Sequence, residues 1–234
     1  ATDSSANGNT GTLTNGPTWT TGQIGSSVDF DGGDDYVNFG DVLDMTDVKP
    51  FTISGWFNRD TFTTDDTILA KAADAFSVGY YVTIDDATDQ LVFIAATNGS
   101  NYYARASTAT FTTTGWHHFA VVWDDTVSTS ANIYIDGALS QDAAATLGTV
   151  GDMSNAESLR IGAESDAGQP FDGKLDEIRI YDRPFSAEEV GQLYRLAVPT
   201  GTDTGLKGYW SFNGNDVSGT TAHDRSGARN TGTL

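Results

Sequence analysis

The sequence predicts an all-β protein built as one antiparallel sandwich, and three observations carry that prediction. About a dozen short apolar runs with period-two alternation follow one another at hairpin spacing. The segments between them are rich in Gly, Asp, Asn and Thr, the residues that make turns. A single stretch, within residues 173–195 (GKLDEIRIYDRPFSAEEVGQLYR), has helical periodicity.

Taken in order, residues 1–19 are polar, with Leu13 and Trp19 as anchors. Residues 25–40 (GSSVDFDGGDDYVNFG) hold two short apolar runs, Val28 with Phe30 and Tyr36 with Val37 and Phe39. A tight acidic turn, Asp31-Gly32-Gly33-Asp34-Asp35, separates them. FTISGWF alternates cleanly, with Phe51, Ile53, Gly55 and Phe57 on one face and Thr52, Ser54 and Trp56 on the other. Further strands are expected at residues 68–71, 79–84, 91–96 and 102–107, then GWHHFAVVWD, NIYIDG and residues 158–162. Asp136-Gly137 is a hairpin dipeptide, because glycine reaches positive φ without steric cost. Trp56, Trp116, Trp123 and Trp210 lie in apolar runs and are read as core. Leu175, Ile178 and Ile180 form the last strand of the body, and Asp182-Arg183-Pro184 ends it. Ser186 and Glu189 then have the spacing of a capping box, and Val190, Leu193 and Tyr194 share one helical face.

Composition removes several functions. Asp and Glu number 32 against 12 Lys and Arg, a net charge of -20, which argues against nucleic acid as a partner. No apolar run approaches the ~20 residues of a membrane-spanning helix, so membrane insertion is not expected. Cysteine is absent, which leaves neither disulfides nor thiolate metal ligands.

The chain continues past its helix. Residues 197–205 (AVPTGTDTG) read as a linker, and LKGYWSF from residue 206 resumes a strand pattern. Residues 222–234 (AHDRSGARNTGTL) align without gaps on residues 1–13 (ATDSSANGNTGTL), ending in five consecutive identities. That is an internal repeat with a period of about one domain. The division is therefore a body over residues 1–196, a linker over 197–205, and a segment over 206–234 equivalent to the first strand of the same fold. That last segment either completes this domain or starts the next repeat.

VDFDGGDDYVNFG, FTISGWF, GWHHFAVVWD, NIYIDG and GKLDEIRIYDRPFSAEEV occur in the order seen in LamG-like jelly-roll domains, and the chain resembles that family. These domains belong to the concanavalin A-like lectin/glucanase superfamily. The resemblance implies a two-sheet jelly roll with adjacent first and last strands, so residues 209–212 should pair near residues 177–181. It differs at the ends. A segment like GYWSFNGNDVSGTTAHDRSGARNTGTL normally comes first, and here it comes last. A circular permutation would place it in the same chain, and a tandem array would place it in the next unit. The duplicated ends could then join neighbouring copies by strand donation.

The acidic turn offers three carboxylates and two glycine carbonyls to a hard cation, and calcium is the expected ion. The resemblance implies that a structural calcium joins this turn to Asp176, giving Asp31, Gly33, Asp35 and Asp176 as the expected ligands, with Asp172 and Asn213 as weaker ones. Tyr81 and Tyr103 are the rings expected to stack on a glycan or cell-surface polymer. Each belongs to a Tyr-Tyr pair that a strand must split between its faces. No E-x-D-x-E motif of the superfamily's glucanases is present, and His117-His118 reads as structural. Together these point to a non-catalytic extracellular or cell-surface module for adhesion or spacing, with carbohydrate binding as the alternative.

Overall fold

The computed structural model of the chain describes residues 9–46, 49–74, 76–124, 130–195, 206–210, 217–218 and 221–222. The first strands are β1 (Thr12–Thr14), β2 (Thr18–Thr21), β3 (Ser26–Asp31), β4 (Tyr36–Asn38), β5 (Phe51–Arg59) and β6 (Asp66–Lys71). A meander follows through β7 (Gly79–Asp85), β8 (Gln90–Asn98) and β9 (Asn101–Thr110), then β10 (His117–Asp124), β11 (Ser130–Ile135) and β12 (Ala138–Leu139). β13 (Ala145–Leu147), β14 (Arg160–Ile161) and β15 (Asp172–Tyr181) lead to α1 (Ala187–Arg195). The last elements are β16 (Leu206–Trp210), β17 (Val217–Ser218) and β18 (Thr221–Ala222).

Two antiparallel sheets face each other. One runs β1-β4-β14-β6-β7-β8-β9-β13, and the other runs β12-β11-β10-β5-β15-β3-β2 with β16 added beside β15. Alternation decides which side chains fill the space between them. Phe51, Ile53 and Phe57 enter the core as their spacing requires, while Trp56 stays on the outer face. Trp123 sits at the centre of the core, stacked on Phe51 at 6.1 Å between centroids and edge-on to Tyr103 at 5.2 Å. Trp56 is covered instead by the Tyr194 ring at 5.6 Å, and Trp116, at the entry to β10, is only half-buried. The two histidines separate as alternation demands. His117 packs against Phe111 and pairs with Asp136 at 3.0 Å, while His118 is buried beside Trp56 on the opposite face. The sequence shows little sign of β13, because ATL holds one β-branched residue and no aromatic one. Pairing with Tyr102, Tyr103 and Ala104 of β9 holds it at the sheet edge.

β15 is the strand on which the second sheet turns. One flank pairs with β5 over most of its length. The other flank pairs with β3 from Asp172 to Leu175, then with β16 from Ile178 to Tyr181. Between Asp176 and Arg179 the chain advances three residues while β5 advances two, from Trp56 to Ser54, so one residue is extra. Glu177 takes that place at φ 55°. The register Ile178↔Trp210 and Arg179↔Tyr209 sets β16 beside the strand segment expected from sequence; residues 211 and 212 lie outside the described residues.

α1 closes over the outer face of this sheet. Val190 is buried with Ala120, Val122, Tyr134, Tyr181 and Phe185, and Leu193 packs against them. Its start is the reciprocal cap read from the sequence: Glu189 N donates to Ser186 Oγ at 3.2 Å, and Ser186 N donates to Glu189 Oε2 at 2.9 Å. Ser186→Ala is expected to cost about 1 kcal/mol. In urea unfolding the midpoint should fall with the slope unchanged; an unaltered midpoint would mean the cap contributes nothing.

Candidate functional site

The acidic turn forms where β3 hands over to β4. Gly32 stands at φ 70°, and a Cβ there would lie 2.7 Å from the Asp172 side chain, so only glycine lets this bend press against β15. Gly33 N donates to Asp31 Oδ1 at 2.8 Å and Asp31 N donates to Asp35 Oδ2 at 3.1 Å, curling the turn around its own carboxylates. Asp31, Asp34 and Asp35 each bring an oxygen within 4.8 Å of the others. Burial pushes the Asp35 carboxyl up, and the charges of Asp31, Asp34 and Asp29 push it further, against the Asp31 amide that favours the ionised form. A divalent cation would relieve that repulsion, and these three carboxylates are a suitable hard-oxygen set.

Gly32 also lines one wall of an open cleft of about 450 Å³, completed by Thr63, Thr64, Asp65, Asp86, Gln169 and Pro170. Three connections converge there: β5 to β6, β7 to β8, and the loop before β15. Buried ionic contacts fix them. Arg59 Nε pairs with Asp66 Oδ2 at 2.5 Å, and its Nη1 reaches Asp89 at 3.1 Å and the Phe111 carbonyl at 3.2 Å. Asp172 N donates to Asp66 Oδ1 at 3.1 Å and Thr67 N to the Gln169 carbonyl at 3.1 Å. Burial lifts Asp66 to about 6 in spite of Arg59. At the cleft wall Asp86 N donates to Asp65 Oδ1 at 2.8 Å. Partial burial raises the Asp65 carboxyl, and contact with Asp86 together with the charges of Asp85 and Asp86 raises it further. The lining thus offers hydroxyls, an amide and carboxyls, with no cationic side chain among its seven residues. Neither Asp65 nor Asp86 stands out in the sequence, because nothing in the order of residues shows that these distant loops share one wall.

The structure redistributes the residues expected from sequence. Asp31, Gly33 and Asp35 are together, but Asp176 is not with them. The β3–β15 register sets Asp172 opposite Asp31 and Leu175 opposite Val28, so Asp176 lies four residues along, ~13 Å at the rise of a strand. There it sits just past the last β3–β15 pair, near the start of β3, where its Oδ2 accepts from Ile24 N at 2.9 Å. A bare carboxylate in that buried place is costly. Burial, with the Glu177 charge beside it, lifts Asp176 to about 8, so the group is held neutral through most of the physiological range.

Tyr81 and Tyr103 do not present rings to a ligand. Tyr103 points into the core at 1% exposure; its hydroxyl donates to the Ala131 carbonyl at 3.1 Å and accepts from Ala131 N at 2.9 Å, tying one sheet to the other. Its pair mate Tyr102 is the outward ring, half-buried and edge-on to exposed Phe76 at 4.9 Å. Tyr81 does take the outer face, yet Gln169 accepts its hydroxyl hydrogen and the ring is 1% exposed. Alternation settles the direction of a ring, whereas a loop from elsewhere in the chain decides whether water reaches it. Asn213 lies outside the described residues.

A family model described as the Concanavalin A-like lectin/glucanases superfamily (Laminin_G_3) matches residues 31–191. The chain belongs to that superfamily. Its two facing sheets and the one short helix among the described residues are those of a concanavalin A-like jelly roll. The Adhesion G-protein coupled receptor V1 of Danio rerio is 26% identical over 167 residues, 69% of this chain, which spans only 3% of that receptor. Among solved structures, a putative carbohydrate binding protein from Bacteroides ovatus superposes with a TM-score of 0.62 at 22% identity, over 95% of this chain and 56% of that one. Domain 4 of AbnA, a GH43 extracellular arabinanase from Geobacillus stearothermophilus in complex with arabinotriose, gives 0.55 at 20% identity, over 82% and 86%. At these identities the two likenesses establish the concanavalin A-like fold of this chain.

Two outcomes test the placements. Tyr103→Phe removes both bonds to Ala131 and should cost about 1–3 kcal/mol by chemical denaturation, while glycan binding, if measured, is unaffected. For Asp176 the raised carboxyl means that the folded state holds its proton more tightly than the unfolded chain. Its contribution is full below the ordinary 3.8 and is lost as pH rises through about 8. Asp176→Asn, which keeps an acceptor for Ile24 N, should flatten that decline in melting temperature. An unchanged pH profile would place the titration elsewhere.

Proposed function

We propose that this chain is a non-catalytic extracellular module of a surface or secreted protein, serving adhesion or spacing, that holds a neutral glycan in the cleft between Gly32, Thr64, Asp86 and Gln169. The observation that carries the reading is the cleft's lining. Sugar hydroxyls are both donors and acceptors, and carboxylates, threonine hydroxyls and an amide supply both in return. A net charge of -20 and a lining without Lys or Arg disfavour sulfated or sialylated chains. The adhesion receptor and the carbohydrate-binding neighbours support the same class of role.

Calcium belongs to this reading as a brace for the turn, held by Asp31, Asp34 and Asp35, with Asp172 packed behind Gly32. Because Gly32 lines the cleft, a stiffer turn means a better-defined wall. The non-catalytic reading rests on the missing E-x-D-x-E strand motif, which would supply the paired carboxylates that a retaining glycosidase needs ~5 Å apart. No helix among the described residues is long and apolar enough to cross a membrane. The repeated ends extend the reading to assembly: copies of the module are joined through their terminal strands.

Calorimetric titration with a panel of neutral oligosaccharides, arabinotriose among them, and with heparin as the anionic control tests the binding. Neutral ligands should bind, with Asp86→Ala weakening them about tenfold, ~1.4 kcal/mol, and heparin should not. Chelation with EDTA should lower the melting temperature, and calcium should restore it unless Asp31 and Asp34 are both changed to Asn. Binding of no glycan at all would end the glycan reading, and indifference to EDTA would end the calcium one.

A further inference from the structure

The outermost strand of the first sheet lies in a slot shaped for its own sequence. β1 pairs with β4 as Thr12↔Asn38, Leu13↔Val37 and Thr14↔Tyr36. Just before it, Gly11 is buried against the same strand. A Cβ on Gly11 would stand 2.4 Å from Val37 Cγ1 and from the Phe39 ring, closer than any side chain can approach. Leu13 packs on the core, and the Thr10 hydroxyl is buried. The run Asn-Thr-Gly-Thr-Leu therefore fits because its glycine and its leucine stand where they do.

That same run occurs a second time, at residues 230–234, with glycine at 232 and leucine at 234. One slot per chain thus faces two segments that satisfy it residue for residue. Only one can occupy it, and in this structure residues 9–13 do. We infer that residues 230–234 are a docking strand for the β4 edge of a second copy of this chain. The inference rests on the assembly reading above and specifies its slot; it is independent of the glycan reading.

Three features favour this occupant. The match at Gly232 is the one that the slot enforces, since any larger residue would meet Val37 and Phe39. β1 is an edge strand held by three register pairs, so opening it disturbs little else. Over residues 9–13 exchange replaces identical side chains by identical side chains and forgoes only the Thr14↔Tyr36 pair, so concentration sets most of its extent. Within one chain, residues 9–13 are tethered to β2 by the short bend at Asn15 and Gly16, equivalent to an effective concentration on the order of mM. Docking in trans therefore grows where copies are crowded or where the resident strand is lost. Docking of residues 230–234 of one copy on the β4 edge of another is a head-to-tail contact, which makes a ring where the rotation between copies closes and an open filament where it does not.

The chain has no cysteine, so single cysteines report cleanly. Thr233 corresponds to Thr12, which stands opposite Asn38, and opposed antiparallel residues are within disulfide reach. The donor is the full chain carrying Thr233→Cys. The acceptors are the full chain carrying Asn38→Cys, with and without Gly11→Val, which expels the resident strand. After mixing and oxidation, non-reducing electrophoresis and mass spectrometry should show a 38–233 linked heterodimer. Its yield should rise with donor concentration on the plain acceptor, rise several-fold further with Gly11→Val, and disappear when Gly232→Val is added to the donor. A chain carrying Thr12→Cys with Asn38→Cys supplies the internal control that the slot geometry permits the bond. If Gly11→Val does not fold by circular dichroism, the concentration series on the plain acceptor decides alone. No heterodimer where the internal control oxidises fully, or a yield indifferent to Gly232→Val, overturns the inference. Light scattering separates the two levels: self-association without a 38–233 link would sink this slot and leave assembly standing, and a monomer throughout would sink both.

Discussion

The second sheet depends on a constraint at the middle of β15, where one strand must serve two neighbours on a single flank. β3 covers its first half and β16 its second, and the extra residue at Glu177 lets the ladder with β5 continue past the change of partner. The bulge also explains the polar residues buried there. Asp176 turns towards Ile24, which leads into β3, while Glu177 and Arg179, both almost fully buried, pair with each other. A charged pair in that position adds little net stability over a hydrophobic one, but each member is costly to leave alone. The bulge thus lies at the point where β16 takes over from β3 on that flank.

The large negative charge is resolved differently in different places. Where acids meet a cation inside the protein they stay in ion pairs: Lys71 is fully buried yet reaches Asp41 at 2.7 Å and Asp44 at 3.3 Å. Where burial outweighs any cation nearby, the structure raises carboxyl pKa values instead, as at Asp176 in spite of Arg179, at Asp66 in spite of Arg59, and at Glu164, lifted to about 7 by burial and by the Asp166 charge. At the turn of residues 31–35 three carboxylates crowd together with no basic residue among them, and burial with neighbouring charges raises Asp35. The physical case for an ion is strongest there for that reason, and the cleft beside it inherits both the acidity and the polar lining.

Legibility from sequence was uneven within the site. The turn was visible because its carboxylates are nearly contiguous, and Asp-Gly-Gly-Asp-Asp encodes both the bend and the oxygens. Asp176 was misplaced by four residues of strand register, which no local pattern reports; Asp172 is the residue that faces Asp31. The tyrosine pairs show the same boundary. Alternation requires one ring of each pair on each face, and this holds, but the inner ring of the second pair became a bridge between sheets and the outer ring of the first was covered by Gln169. The cleft could not be found at all, since Thr63, Asp86 and Gln169 come from separate loops.

By itself the sequence determined the all-β architecture, the single capped helix, the faces of its strands, the acidic turn and the duplication of its ends. All of these are written in neighbours a few residues apart or in direct repetition, where backbone sterics and side-chain periodicity act without help. Tertiary structure alone decided which loops meet, how far β15 slides against β3, which tyrosines are sealed from water, and that Asn-Thr-Gly-Thr-Leu has a slot on β4. Those outcomes depend on pairing between distant segments, where a shift of one residue reverses a face and several together carry a ligand atom to the far end of a strand.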